Sequence, residues 1–222
     1  MTQLLVSIKS IAEAKIALAE KVDIIDLKNP SDGALGALDA KIIKQIVLYV
    51  AGRRPVSATI GNLPMQASVI IQKIQQADSL GLDLIKVGFE NDLSAIDCIN
   101  KIAKLKFKTK LVGVLFADQS PNFELIPCFS AAGFHGLMLD TQSKLSINLF
   151  ECQAEKEIES FVKKAKDASL LVGLAGRLLA TNIASAINFS PDFIGVRSAV
   201  CHSESRENLL DSKKISIIKA LF

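Results

Sequence analysis

The stretch IIDLK at residues 24–28 indicates how this chain folds. Side chains of a strand alternate between two faces, so Ile24, Asp26 and Lys28 point one way while Ile25 and Leu27 point the other. The second face is wholly apolar, whereas the first face carries its charges towards the C-terminal end. This pattern is typical of a strand that is covered by a helix on one side and faces a polar site on the other.

Seven further apolar runs of similar length are spread along the chain, and several repeat this alternation. Short apolar runs of about four to eight residues, bounded by turn residues, predict buried strands. The eight predicted strands are LLVSI (4–8), IIDLK (24–28), VSATI (56–60), LIKVGF (84–89), LVGVLF (111–116), GLMLD (136–140), LLVGLAG (170–176) and FIGVR (193–197).

The segments between these strands carry helix signals. Ser10 and Glu13 have the spacing of a capping box, and apolar stripes run through residues 70–77 and 158–165. Regular alternation of strand and helix, without a Gly-, Pro- or Ser-rich linker, indicates right-handed crossovers and one parallel sheet. We therefore expect residues 1–222 to form a single α/β domain, a TIM (β/α)8 barrel, with an open doubly wound sheet as the alternative.

Composition excludes several classes of partner. The chain has 26 Lys and Arg against 23 Asp and Glu, and a net charge of +3 is too small to predict a nucleic-acid-binding surface. The four cysteines form no CxxC pair, so neither a metal site nor a disulfide framework is expected. Without a signal-peptide pattern or a membrane-spanning apolar run, we expect a cytoplasmic protein with no membrane partner. Positive mean hydropathy favours a homo-oligomer.

The inward faces of the four even-numbered strands each carry a charged residue near the C-terminal end. These residues are Lys28, Lys86, Asp140 and Arg197. Active sites of β/α barrels lie at this end, and alternate strands fill the same interior layers, so we expect the four side chains to line one cavity. A structural ion pair is the alternative for any one of them, but the shared position favours a site.

Two lysines in one buried cavity favour chemistry on a carbonyl. Burial and mutual repulsion both disfavour the ammonium form, and a neutral lysine attacks a carbonyl carbon to form a Schiff base. Asp26, in the same strand as Lys28, is expected to orient that lysine and to shuttle protons. Asp118, which follows the fifth strand, is expected to serve with Asp140 in proton transfer rather than to bind magnesium.

The segments after the seventh and eighth strands, GLAGRLLATN (173–182) and GVRSAVCHSES (195–205), predict a phosphate site. Small residues there allow backbone N–H groups to approach an anion, and barrels commonly bind phosphate at this position. We assign the site to Gly176, Arg177, Arg197 and Ser198, with Arg206 as a weaker additional cation. The glycines are alternatively plain turn residues.

Several strings resemble one enzyme family along nearly the whole chain. They are LLVSI (4–8), DIIDLKNPSDGALGA (23–37), VSATIG (56–61), DLIKVGF (83–89), LMLDT (137–141), LAG (174–176) and IGVRSAVC (194–201). They are similar to the (5-formylfuran-3-yl)methyl phosphate synthases of methanofuran biosynthesis, whose product is also called 4-(hydroxymethyl)-2-furancarboxaldehyde phosphate. The segments ENDLS (90–94) and SAVCHSES (198–205) depart from that pattern.

The resemblance implies a β/α barrel that joins two molecules of glyceraldehyde 3-phosphate, with loss of one phosphate and of water and without a metal or organic cofactor. It also implies that Lys28 forms the Schiff base and that Lys86 is the proton acceptor. Asp26, Asp140 and Lys144 match assisting positions.

Two other functions stay open at this point. A Schiff-base aldolase that acts on another phosphorylated aldehyde would use the same lysines and give an open-chain product. A barrel without activity would bind only a phosphorylated metabolite or a protein partner.

Overall fold

Eight parallel strands close into a barrel within residues 1–143 and 147–222, which the computed structural model describes. Each strand pairs with the next, and β8 pairs with β1. The predicted TIM barrel is therefore confirmed, and an open sheet is excluded. The strands are β1 (Gln3–Ile8), β2 (Ile24–Leu27), β3 (Val56–Thr59), β4 (Leu84–Phe89), β5 (Lys110–Phe116), β6 (Gly136–Asp140), β7 (Leu171–Leu174) and β8 (Phe193–Val196).

Helices connect the strands and surround the barrel. They are α1 (Ile11–Ala19), α2 (Ala40–Val50), α3 (Ala67–Asp78), α4 (Ser94–Ile102), α5 (Ile126–Ala131), α6 (Leu149–Cys152), α7 (Glu155–Asp167), α8 (Ala180–Asn188) and α9 (Ser212–Lys219). The predicted apolar stripes of α3 and α7 are buried against the barrel. In the part of the chain that the structure describes, no helix has the length and apolar character needed to span a membrane.

Helix α1 begins at the predicted cap. The Ser10 hydroxyl accepts a hydrogen bond from the Glu13 backbone N–H at 3.3 Å. The Glu13 carboxylate accepts from the N–H of Lys9, at 2.8 Å, rather than from that of Ser10 as in the standard capping box. Glu13 is fully buried, which gives this carboxylate a second role at the barrel rim.

The two faces of the strands form two separate cores, as their alternation predicts. Outward residues such as Ile25, Ile85 and Ile194 belong to the large core between barrel and helices. Inward residues such as Ile24, Met138 and Phe193 belong to a smaller core inside the barrel. The inner core fills much of the barrel interior, and the buried polar residues of β2, β4 and β6 lie towards its C-terminal rim.

The loop between β2 and α2, residues 29–37, folds back into the barrel. Ala34 and Leu35 are buried and pack within the inner core. Asn62 fixes this 29–37 loop: its side-chain oxygen accepts from the Leu35 N–H at 3.2 Å, and its amide donates to the Asp32 carbonyl at 2.7 Å. A Cβ at Gly36 would lie 2.5 Å from the carbonyl oxygen of Asp32, so only glycine fits there.

A test of the inner core concerns Gly173 in β7, whose Cβ would lie 2.2 Å from the Phe193 ring. We expect Gly173→Ala to lower the free energy of unfolding by about 1–3 kcal/mol, because the added methyl overpacks the barrel. Phe193→Leu removes the opposing ring atoms, so the double variant should lose less than the sum of the single variants. Urea denaturation measures all three, and strictly additive losses would contradict this packing.

Candidate active site

One cavity at the C-terminal rim brings most of the predicted site residues together. Asp26 lies beside it and is bonded to a residue of its wall. The cavity volume is about 40 Å³, room for a few water molecules. Lys144 lies outside the described residues. The predicted residues that line the cavity are Lys28, Lys86, Asp140, Gly176, Arg177, Arg197 and Ser198.

The fully buried carboxylate of Asp26 is the centre of this arrangement. It accepts hydrogen bonds from the hydroxyls of Ser57 at 2.6 Å and Ser7 at 2.8 Å, and it forms an ion pair with Lys86 at 2.7 Å. Burial raises its pKa, but the charges of Lys86 and Lys28 and the hydrogen bonds outweigh burial, so the pKa lies below its ordinary value. Asp26 is therefore ionised at neutral pH.

The sheet register explains the two serines. Ser7 of β1 and Ser57 of β3 are both paired with Asp26 of β2, so all three side chains project inward at the same level. Neither serine is among the predicted site residues, although the alternation along LLVSI and VSATI places both on the inner face.

Lys86 forms a close ion pair with Asp26. Asp26 and Lys28 belong to one strand segment, whereas the long side chain of Lys86 in β4 extends past β3 to the Asp26 carboxylate. The structure thus adds a direct ion pair with Lys86 to the expected role of Asp26 in orienting Lys28, which stays a prediction. Lys28 contributes to the low pKa of Asp26 by its charge.

Lys28 is buried near the 29–37 loop. Its Nζ donates a hydrogen bond to the carbonyl oxygen of Ala34 at 3.2 Å. Ala34 is itself held in the inner core. The loop that carries much of the family-like sequence string therefore contacts Lys28 directly.

Arg197 has a different environment from the one expected of a phosphate ligand. Its guanidinium forms a bidentate ion pair with Glu13, at 2.7 and 2.9 Å. The remaining N–H groups donate to the carbonyl oxygens of Ser7, Arg206 and Asn208. Because all five donors of a guanidinium are used by protein atoms, the structure gives Arg197 a structural role at the rim. The Glu13 partner is not visible in the sequence, where Glu13 reads only as a helix-cap residue.

Gly176 and Arg177 form the turn after β7. Both have positive φ, +109° and +47° respectively. A Cβ at Gly176 would lie 2.9 Å from Cγ2 of Thr141, so the glycine allows β6 and β7 loops to approach closely. Ser198 begins a short 3₁₀ turn after β8 on the other side of the cavity.

The carboxylates near β5 and β6 organise the rim backbone. Asp140 accepts from the Thr141 N–H at 2.8 Å. Asp118 accepts from the N–H groups of Gln142 and Ser143, both at 2.7 Å, and so fixes the start of the loop after β6. Among the described residues, no group of three or more His, Cys, Asp or Glu side chains has an arrangement suited to a metal ion.

The cavity has a surplus of positive charge. Among the described residues, the cavity wall and its buried carboxylate partners together contain five cationic side chains and three carboxylates. The five cations are Lys28, Lys86, Arg177, Arg197 and Arg206, and the three carboxylates are Asp140, Asp26 and Glu13.

Comparison with known proteins agrees with this geometry. The family model described as 4-HFC-P synthase matches residues 4–219. The chain belongs to the 4-HFC-P synthase family. Membership confirms the family resemblance of the sequence and places the chain in a family of enzymes.

Relatives within the 4-HFC-P synthase family match nearly the full chain. The (5-formylfuran-3-yl)methyl phosphate synthase of Archaeoglobus fulgidus is 32% identical over 233 residues, covering 99% of both chains. That of Methanosarcina mazei is 34% identical over 214 residues, covering 90% of each. Phosphoribosyl anthranilate isomerase from Thermotoga maritima shares the fold at TM-score 0.69 and 16% identity, covering 100% of this chain and 98% of its own.

The buried ion pair of Glu13 and Arg197 can be tested against an exposed pair. Glu13→Gln leaves the Arg197 guanidinium without a counter-charge, so we expect the free energy of unfolding to fall by about 3–5 kcal/mol. Asp167→Asn removes the exposed pair with Lys163 and should leave it nearly unchanged. Urea denaturation at neutral pH compares them; equal effects of the two substitutions would contradict the structural role of Arg197.

The low pKa of Asp26 predicts how stability depends on pH. A carboxyl whose pKa in the folded state lies below its ordinary value of 3.8 stabilises the fold above that pH. The stabilisation is lost as the pH falls through the lower folded-state pKa. We therefore expect Asp26→Asn to be less stable than the wild type at neutral pH, with a difference that shrinks below pH 3.8. Urea unfolding of both proteins across this pH range measures the difference in stability. A difference that does not change with pH would contradict the low pKa of Asp26.

Proposed function

We propose that this member of the 4-HFC-P synthase family condenses two molecules of glyceraldehyde 3-phosphate through a Schiff base on Lys28. The product would be the (5-formylfuran-3-yl)methyl phosphate named for its relatives, formed with loss of one phosphate and of water. The observation that carries the proposal is that two buried lysines, Lys28 and Lys86, line one positively charged cavity. Lys86 also forms an ion pair with the ionised carboxylate of Asp26.

The contact of Lys86 with Asp26 and the family resemblance support different roles for the two lysines. Lys86 forms an ion pair with Asp26 at 2.7 Å, and the low pKa of Asp26 keeps that carboxylate charged. An ammonium is a proton donor, not a nucleophile. Lys28 donates a hydrogen bond to the Ala34 carbonyl and, by the family resemblance, matches the Schiff-base position, so it is the candidate nucleophile.

The first steps follow from this assignment. The Lys28 amine attacks the carbonyl carbon of a triose phosphate, and the Lys86 ammonium protonates the hydroxyl of the adduct, which leaves as water. The iminium that remains acidifies the neighbouring C–H bond, and the now neutral Lys86 takes that proton. The resulting enamine attacks the aldehyde carbon of the second triose phosphate to form the new C–C bond.

Other residues of the rim would assist the later steps. Asp140 lines the same cavity and is placed to exchange protons during elimination and ring closure, and Lys144 is a candidate for the same work. Arg177 and the backbone N–H groups of Gly176 and Ser198 are candidates for binding phosphate. The scheme uses only side chains and backbone of this chain.

A product assay tests the proposal. Purified protein with glyceraldehyde 3-phosphate should give a furan ultraviolet absorbance and one inorganic phosphate per furan. Lys28→Arg keeps the charge but cannot form the Schiff base, so the rate should fall more than about a thousandfold. Lys44→Arg, on the exposed face of α2, is the matched control and should retain the wild-type rate.

Two outcomes would contradict the proposal. An open-chain product without phosphate release would favour the aldolase alternative, which shares the Schiff base but not the eliminations. Furan formation by Lys28→Arg at the wild-type rate would show that Lys28 is not the nucleophile.

A further inference from the structure

Arg206, in the segment after β8, contacts both the cavity and the 29–37 loop. Its side chain lines the cavity, and its Nη2 donates a hydrogen bond to the Gly33 carbonyl at 2.8 Å. Gly33 directly precedes Ala34, whose carbonyl accepts from Lys28. One guanidinium therefore connects the phosphate end of the cavity to the loop that contacts the proposed nucleophile.

The Nε of Arg206 is a buried donor that lacks a hydrogen-bond partner among the described residues. Buried N–H groups are almost always paired, because an unpaired one loses its hydration and gains nothing in return. In Arg197 every N–H group is used by the protein, so the two arginines of this segment differ sharply. The Nε of Arg206 is therefore available to a ligand, whereas Arg197 has no unpaired donor.

The charges around Arg206 also point to an anion. Burial lowers the pKa of its guanidinium; Asp140 and Glu207 oppose that effect, while the nearby charges of Arg197 and Arg177 add to it. A phosphate between Arg177 and Arg206 would neutralise this repulsion and accept from the unpaired Nε.

The backbone of Arg206 is held in place by the buried ion pair. Arg197 Nε donates to the Arg206 carbonyl oxygen at 2.8 Å, and the Arg197 guanidinium is itself fixed by Glu13. The Glu13–Arg197 pair thus fixes the backbone of Arg206, and the Gly33 carbonyl fixes the position of its guanidinium. A guanidinium held at both ends is preorganised for a ligand.

We propose that Arg206 is the residue that selects phosphorylated substrates, binding a phosphate oxygen through Nε while Nη2 holds the 29–37 loop against Lys28. Phosphate binding and the position of the 29–37 loop are then coupled, because the phosphate and the Gly33 carbonyl both accept hydrogen bonds from the same planar guanidinium. The proposal deepens the function given above and rests on it for the Schiff-base readout. Arg206 acts on Lys28 through the loop and is, in that respect, a positioning residue.

Borohydride trapping of the Schiff base measures this selectivity. Wild-type protein should be trapped at much lower concentrations of glyceraldehyde 3-phosphate than of glyceraldehyde. In Arg206→Gln this preference should shrink about 10- to 100-fold, because one charged hydrogen bond is lost. Arg206→Lys should keep part of it. Arg54→Gln, which removes an arginine from the turn before β3, should keep all of it.

The outcomes separate a selective role from a structural one. An unchanged preference in Arg206→Gln would overturn the proposal, and so would an equal loss of trapping with both aldehydes. Thermal melting of each variant shows whether the fold is retained, and Arg206→Lys replaces Arg206→Gln if the latter unfolds.

A second measurement does not depend on the Schiff base. Inorganic phosphate should slow hydrogen exchange of the backbone amides in residues 29–37 of the wild type, and this protection should be absent from Arg206→Gln. If wild-type protein traps neither aldehyde, the proposed function fails while this exchange experiment still decides the role of Arg206. Equal protection in both proteins would overturn it.

Discussion

The ionised carboxylate of Asp26 determines how the rest of the site is arranged. A charge so deeply buried is tolerated only when donors surround it, and Ser7, Ser57 and Lys86 supply them from three other strands. This carboxylate forms an ion pair with Lys86 at 2.7 Å. The different roles that we propose for the two lysines build on this ion pair and on the family resemblance.

A second buried ion pair, between Glu13 and Arg197, performs a different task at the same rim. It joins α1 to the end of β8 and fixes the backbone of the segment that carries Arg206. Protein atoms accept from all five donors of Arg197. Arg206 differs, because its buried Nε has no hydrogen-bond partner among the described residues.

Alternation along short apolar runs was sufficient to predict all eight strands and the inward direction of Lys28, Lys86 and Asp140, because strand parity is a local property. The partner of Arg197 could not be predicted in this way, since Glu13 lies 184 residues away on a helix. Nor could the contact of Lys86 with Asp26, which depends on how a long side chain of β4 extends past β3. The insertion of Leu35 into the barrel depends on tertiary contacts with Asn62 and the inner core.

The central claim is that Lys28 is the nucleophile and that Asp26 prevents Lys86 from acting as one. Borohydride reduction in the presence of glyceraldehyde 3-phosphate, followed by peptide mapping with mass spectrometry, tests it directly. The account predicts one substrate-derived adduct per chain, on the peptide and side chain of Lys28. An adduct on Lys86 in the wild-type protein, with Lys28 unmodified, would contradict it.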